Sequence, residues 1–199
     1  METKLLELEL PVLGTGNNQR SPGLHLTDVV KDLMVVSGMS QGNQTWSRQP
    51  TMNAGFIWEE VLFSNWEEVL SPAFAVLMGR KLSWYQTGEI KFDGIYLTPD
   101  GLDVVSVPWI LQEAKCTWKS SKNSPVDNWR YMVQAKSYCK ALNIDRVMFH
   151  ILHLMGDYKG SGPCYKPWLI IFQPHELAEN WQMIMNHAEY MRSKNGIVA

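Results

Sequence analysis

The chain has 199 residues, a net charge of −2, and 45% hydrophobic against 19% charged residues. That balance suits one compact domain over 1–199 and excludes disorder along its whole length. No run approaches the roughly 18 apolar residues of a membrane span, and the opening ten residues, with three acids and one base, lack the basic-then-apolar form of a secretory leader.

In chain order, residues 1–23 read as an arm or loop, with Gly, Asn, Pro and Ser crowded into 11–23. Thr27 is placed as the N-cap of a short helix over 28–36, with Val29, Val30, Leu33 and Met34 on its apolar side. Residues 37–53 are polar and glycine-containing and read as a loop. A helix over 54–70 is expected to turn Ile57, Val61 and Leu62 inward, and Pro72 stops it or begins the next. Strand signals fill 89–97 and end at the turn Thr98-Pro99-Asp100-Gly101. Residues 102–107 and 109–116, joined at Pro108, complete an expected three-strand meander. A Ser/Lys/Asn loop over 117–125, a helix over 127–142, strands over 146–154 and 168–173, and a last amphipathic helix over about 174–192 follow. The expected class is α/β, a mixed central sheet flanked by helices.

Two distributions bear on function. The cysteines, Cys116, Cys139 and Cys164, are odd in number and widely spaced. They fit reduced thiols of a cytoplasmic protein rather than a disulfide frame or a zinc knuckle. Residues 1–110 hold 7 bases against 13 acids, whereas 115–146 hold 7 bases (Lys115, Lys119, Lys122, Arg130, Lys136, Lys140, Arg146) against 2 acids. A positive surface beside an acidic one suits a metal-dependent phosphodiesterase; it also suits uneven surface charge with no partner.

Glu113-Ala114-Lys115 closes an apolar strand. Side chains alternate along a strand, so Glu113 and Lys115 share a face, as a simple ion pair would also require. In a meander, Asp100 meets Glu113 across the sheet. Two carboxylates at 4 Å repel by about 4 kcal/mol at an effective dielectric of about 20. A hard cation such as Mg²⁺ removes the conflict, and Lys115 then neutralises phosphate charge or positions an attacking water. Asp93, beside Gly94, and Asp103 are rivals to Asp100. Glu60, Glu67 and Glu68 read as solvated. His150 and His153 stand three apart on a strand and so face opposite sides. Trp58, Trp66, Trp109 and Trp181 read as core, whereas Trp46, Trp118 and Trp129 lie in or beside polar loops. Trp118, followed by Lys119, Ser120 and Lys122, offers a face for a base and donors for phosphate.

The Pro99-Asp100 pair followed by Glu113-Ala114-Lys115 resembles the PD-(D/E)XK nuclease superfamily. Gln134 and Tyr138, one helical turn apart, resemble its RecB-like branch, and Gly55-Phe56-Ile57-Trp58-Glu59 looks like the helical glutamate motif of phage exonucleases. The segments Thr98–Leu102, Glu113–Cys116 and Tyr131–Gln134 are similar to the phage lambda exonuclease family, and weaker similarity reaches Arg20 and Leu26-Thr27-Asp28. The gap from Asp100 to Glu113 is longer than in that family, Tyr138 stands one residue later, and the chain is shorter.

The resemblance implies a restriction-endonuclease-like core. It implies that Asp100, Glu113 and the Ala114 carbonyl bind Mg²⁺ or Mn²⁺, with Glu59 at a second position. It also implies that Lys115 holds the nucleophilic water and that Gln134 supports the site with Tyr138 behind it. Arg20, Thr27, Trp118, Lys119, Ser120, Lys122 and Arg130 become candidates for binding DNA and its phosphates. The implied activity is a metal-dependent DNA exonuclease of phage recombination or repair. A single-strand or structure-selective endonuclease and an inactive DNA-binding module are the alternatives. A homo-oligomer and a single-strand annealing or recombination protein are the implied partners.

Overall fold

A computed structural model describes residues 20–39, 49–105, 107–160 and 162–194. The arm at 1–19, Trp46 and most of the expected 37–53 loop lie outside them.

Strand β1 (Leu24–His25) leads directly into helix α1 (Leu26–Val36). The helix starts earlier than predicted, so Thr27 sits inside its first turn and is not its cap. Leu26, Val29 and Val30 are buried at helical spacing. Helix α2 (Gln49–Ser64) begins inside the expected loop and stops short of residue 70. A wider π-helical turn (Trp66–Leu70) then passes to α3 (Ser71–Met78), with Pro72 in its first turn, where no N–H is needed. Of the three residues expected inward on α2, only Leu62 is buried; Ile57 and Val61 are exposed. Trp58 and Leu62, four apart, form the inward stripe instead.

The expected strand over 89–97 is a hairpin of β2 (Ile90–Phe92) and β3 (Ile95–Leu97). Asp93 and Gly94 both take positive φ, 48° and 75°, as the tight turn between right-twisting strands requires. With β1 parallel to β3, these make a small sheet in the order β1-β3-β2. The predicted meander is therefore corrected to two sheets.

The second sheet runs β4-β5-β6-β7. Strand β4 (Gly101–Asp103) is shorter than the predicted 102–107. Its partners are β5 (Ile110–Thr117), β6 (Arg146–His153) and β7 (Cys164–Ile171), the last starting earlier than predicted. Pairing is antiparallel for β4 with β5, parallel for β5 with β6 and antiparallel for β6 with β7. The sheet is mixed, as expected. A short turn (Pro125–Asp127) precedes α4 (Trp129–Leu142), and α5 (Pro174–Lys194) closes the described chain.

Alternation along β5 and β6 divides the core. Leu111, Val147, Phe149 and Ile151 face α1, α4 and α5 together with Tyr138, Cys139, Ile184 and Ala188. Ile110 and Met148 face the other way, onto Leu62, Trp66, Phe74, Leu82 and Trp84. Glu113 and Lys115 share the parity of Leu111, so both lie on the α4 side. Trp66 and Trp181 are buried as predicted, whereas Trp109 is 43% exposed because it precedes β5 rather than belonging to it. No helix among the described residues is long and apolar enough to cross a membrane.

Candidate active site

The β4–β5 ladder ends at the pair Gly101 and Gln112. Asp100 therefore stands opposite Glu113, one step past the last ladder pair. Beyond that point β5 has an open margin on the β4 side, and Asp100 fills it. Its Oδ2 accepts the Ala114 amide at 2.8 Å, as a strand carbonyl would. A strand residue sends its N–H and C=O to the same margin, so the Ala114 carbonyl also faces Asp100. Trp84 fixes the turn by donating its indole N–H to the Asp100 carbonyl at 3.1 Å. Gly101 makes room for that ring: a Cβ there would lie 2.5 Å from the Trp84 Nε1.

Lys115 joins the two acids. Its Nζ lies 2.5 Å from Glu113 Oε2 and 3.5 Å from Asp100 Oδ2. Glu113 is fully buried, and its Oε1 has no hydrogen-bond partner. Burial first and Asp100 second push its carboxyl up to about 8, against the opposing pull of Lys115. Glu59 projects from α2, which is pinned by the Trp58 indole donating to the His150 carbonyl at 2.9 Å. Burial and then Asp100 raise Glu59 to about 7. For Lys115, burial works to lower the ammonium's pKa, but Glu113 and Asp100 outweigh it and hold the group charged.

Glu59 and Asp100 line a cleft of about 240 Å³ with Phe56, Phe63, Gln86 and Gly88. Glu60, expected to be plain surface, is exposed but also lines this cleft and adds to the rise in Glu59. Among the described residues, no three His, Cys, Asp or Glu side chains gather closely enough to cage a metal by themselves. Asp100 and Glu113 are the pair brought together, and Glu59 shares the cleft with Asp100, whose charge helps raise it. Gln134 donates to the Tyr138 hydroxyl at 2.8 Å, and Tyr138, fully buried, is raised by burial and by Glu113. Lys115 also lies over the Tyr131 ring, 5.9 Å from its centroid.

The rivals have other tasks. Asp93 accepts the Trp181 indole at 2.9 Å at a hairpin tip. Asp103 is fully buried, bonded to Arg80 and accepting the Ser83 amide at 2.8 Å. His150 is held between Gln112 and Tyr165, each at 2.7 Å, on the face opposite His153. Cys139 is a core residue, and burial raises both it and Cys116, so neither thiol is an activated nucleophile. Trp84 and Trp58, which fix Asp100 and α2, escaped the sequence reading as site supports. Trp58 directly precedes Glu59, whereas Trp84 lies 16 residues before Asp100 and carries no signal in the sequence.

The candidate DNA-binding residues fall in separate places. Arg20 donates to the Thr27 hydroxyl at 2.8 Å and pairs with Asp28 at 3.3 Å. The adjacent Ser21 amide reaches Glu89 at 3.4 Å, next to the cleft residue Gly88. Lys119, Lys122 and Arg130 are exposed, and the Ser120 hydroxyl accepts the Lys122 amide at 3.3 Å. Within the basic block, Lys136 is paired with Glu176 and Arg146 with Asp145.

No family model and no curated protein matches the chain. Solved structures do. A phage-related exonuclease from Haemophilus somnus 129PT aligns with a TM-score of 0.50 over 85% of this chain and 82% of that one, at 12% identity. The alkaline exonuclease LHK-Exo from Laribacter hongkongensis, in one structure in complex with dAMP, aligns with a TM-score of 0.50 over 89% of this chain and 95% of that one, at 16% identity. The two sheets and the helices packed on them thus give this chain the fold of phage-type exonucleases.

Proposed function

We propose that the protein is a divalent-metal-dependent deoxyribonuclease, acting as an exonuclease in phage-type recombination or repair. One observation carries the reading. A fully buried carboxylate, Glu113, with an unpartnered oxygen, shares a single lysine with a second carboxylate, Asp100. Burial and Asp100 both penalise a charge on Glu113, and a hard cation bound between the two acids would remove that penalty. The shared fold supports the nuclease class, and the dAMP bound by one neighbour supports a deoxynucleotide substrate.

Asp100, Glu113 and the Ala114 carbonyl are the groups that would hold Mg²⁺ or Mn²⁺, with Glu59 in the same cleft as Asp100. Mg²⁺ commonly takes one or two carboxylates and keeps waters for its other positions, so this donor set fits. When bound, the metal supplies electrostatic stabilisation of phosphate charge and an acidified water. Lys115 keeps an ammonium beside the same point, where it neutralises the phosphate and orients a water. Tyr138, buried and held by Gln134, stands close enough to act on Lys115 electrostatically.

Digestion of end-labelled linear and circular DNA, single- and double-stranded, with Mg²⁺ tests this. Linear molecules are expected to shorten from an end while circles survive. Nicked circles would point to an endonuclease, and no degradation of any substrate would leave a binding module. Asp100→Asn and Glu113→Gln should each abolish cleavage while DNA binding in EDTA persists. Cleavage that survives both changes refutes the site.

A further inference from the structure

The proposed active site makes no use of the surface past the ends of β5 and β6. Trp118, just after β5, is 51% exposed, and Tyr158, in the β6–β7 connection, is 59% exposed. They come from different loops, yet the Tyr158 hydroxyl donates to the Trp118 carbonyl. Tyr158 also has φ of 64°, a left-handed conformation that a bulky side chain adopts only at a cost. Beneath the two rings the loops are tightly braced. The Ser121 amide donates to the Gly156 carbonyl at 2.7 Å. Lys166 donates to the Ser121 carbonyl at 2.7 Å, and His153 Nδ1 to the Lys119 carbonyl at 3.0 Å. A firm frame thus holds two half-exposed aromatic side chains on adjoining loops.

The surroundings say what would cover them. Lys119, Lys122 and Lys159 are exposed and enter no ion pair among the described residues. Next to Trp118 in the chain, Thr117 and Lys119 line a water-sized recess of about 30 Å³ together with Asn123, Asp127, Tyr131 and His153. His153 is 2% exposed and its Nε2 has no partner. Exposed aromatic side chains flanked by unpaired lysines complement a base and its phosphate. In a duplex both faces of each base are covered by its neighbours, so the fitting partner is an unpaired strand.

We propose that Trp118 and Tyr158 form a stacking platform for an unpaired base of single-stranded DNA, with Lys119, Lys122 and Lys159 along its backbone. The inference deepens the nuclease reading and rests on it for the direction of the strand. β5 runs unbroken from Glu113 to Thr117, so the platform stands about 16 Å from the carboxylates, a few nucleotides away. A frayed or single-stranded end held there would be led over Lys115.

Fluorescence anisotropy in EDTA, where no cleavage occurs, tests the platform separately. The probes are a labelled oligothymidylate and a labelled blunt duplex. Trp118→Ala and Tyr158→Ala should each weaken oligothymidylate binding about tenfold and leave duplex binding within about twofold. Trp118→Phe should retain most of the affinity, and Lys119→Ala should reduce the salt slope by about one. Thermal melts of each variant that match the wild type establish that folding is unchanged. Equal losses on both probes, or no loss on the single strand, overturn the platform. A wild type that cleaves linear DNA while Trp118→Ala and Tyr158→Ala bind the single strand normally sinks the platform alone. A wild type that cleaves nothing while both variants lose single-strand binding sinks the nuclease alone.

Discussion

Glu113 concentrates the chemistry of the site in one side chain. Its carboxyl rises from 4.5 to about 8, chiefly through burial and then through Asp100. A carboxyl raised on folding makes the metal-free native state bind more protons than the unfolded chain between these two values. The stability it contributes is therefore full below about 4.5 and is lost as pH rises through about 8. Glu59 adds a smaller effect of the same sign up to about 7. Glu113→Gln removes the charge and keeps the shape. In EDTA above about pH 8 it should melt a few degrees higher than the wild type, with the gain vanishing in mild acid. A variant that melts lower at every pH would show that the buried charge is not a burden. The Glu-x-Lys spacing made Glu113 and Lys115 legible in the sequence, because strand alternation alone puts them on one face. The unpartnered oxygen of Glu113 was not legible, since it depends on how α4 and α2 close around β5.

Elements set this residue in place through register. The turn Thr98–Gly101 was readable, and its position directly before β4 is why Asp100, not Asp93 or Asp103, faces Glu113. Asp93-Gly94 is a strong hairpin signal, but the alternating pattern on either side of it also fits a single strand bent at that point. On α2, apolar residues occur on several sides, so periodicity did not separate Ile57 and Val61 from Trp58 and Leu62. The indole bond from Trp58 to the His150 carbonyl, a contact 92 residues away, settles the rotation of the helix and with it the aim of Glu59. Gly101 is the sharpest test at this scale. Gly101→Ala places a methyl 2.5 Å from the Trp84 ring. The ring must shift and take the Asp100 carbonyl with it. Cleavage should fall at least about tenfold by the rate arithmetic of a misplaced group, while far-UV circular dichroism stays unchanged. Wild-type rates in that variant would show that Trp84 does not position Asp100.

The whole molecule is a mixed sheet between two helical layers, a class readable from the order of helix and strand signals. The splitting off of β1, β2 and β3 was not, because β1 is two residues long and pairs in parallel across a wide gap in sequence. The sheet also buries His150 among Trp66, Phe74 and Trp84. Burial lowers its imidazole from 6.5 to about 3. The unfolded chain takes up that proton more readily, so stability falls as pH drops from about 6.5 toward 3. His150→Gln should lose less stability over that range than the wild type, in denaturant titrations at several pH values. Parallel declines in the two proteins would assign the acid sensitivity to another group.

The bond from the Ala114 amide to the Asp100 carboxylate has a practical consequence. An unquenched backbone donor on an exposed strand invites a second chain to pair with it. Asp100→Ala would remove the acceptor and should promote self-association, whereas Asp100→Asn leaves an amide oxygen able to take its place. Light scattering on the two proteins should separate them, with the alanine form the more prone to clump. The asparagine form is then the one whose lost activity can be ascribed to chemistry.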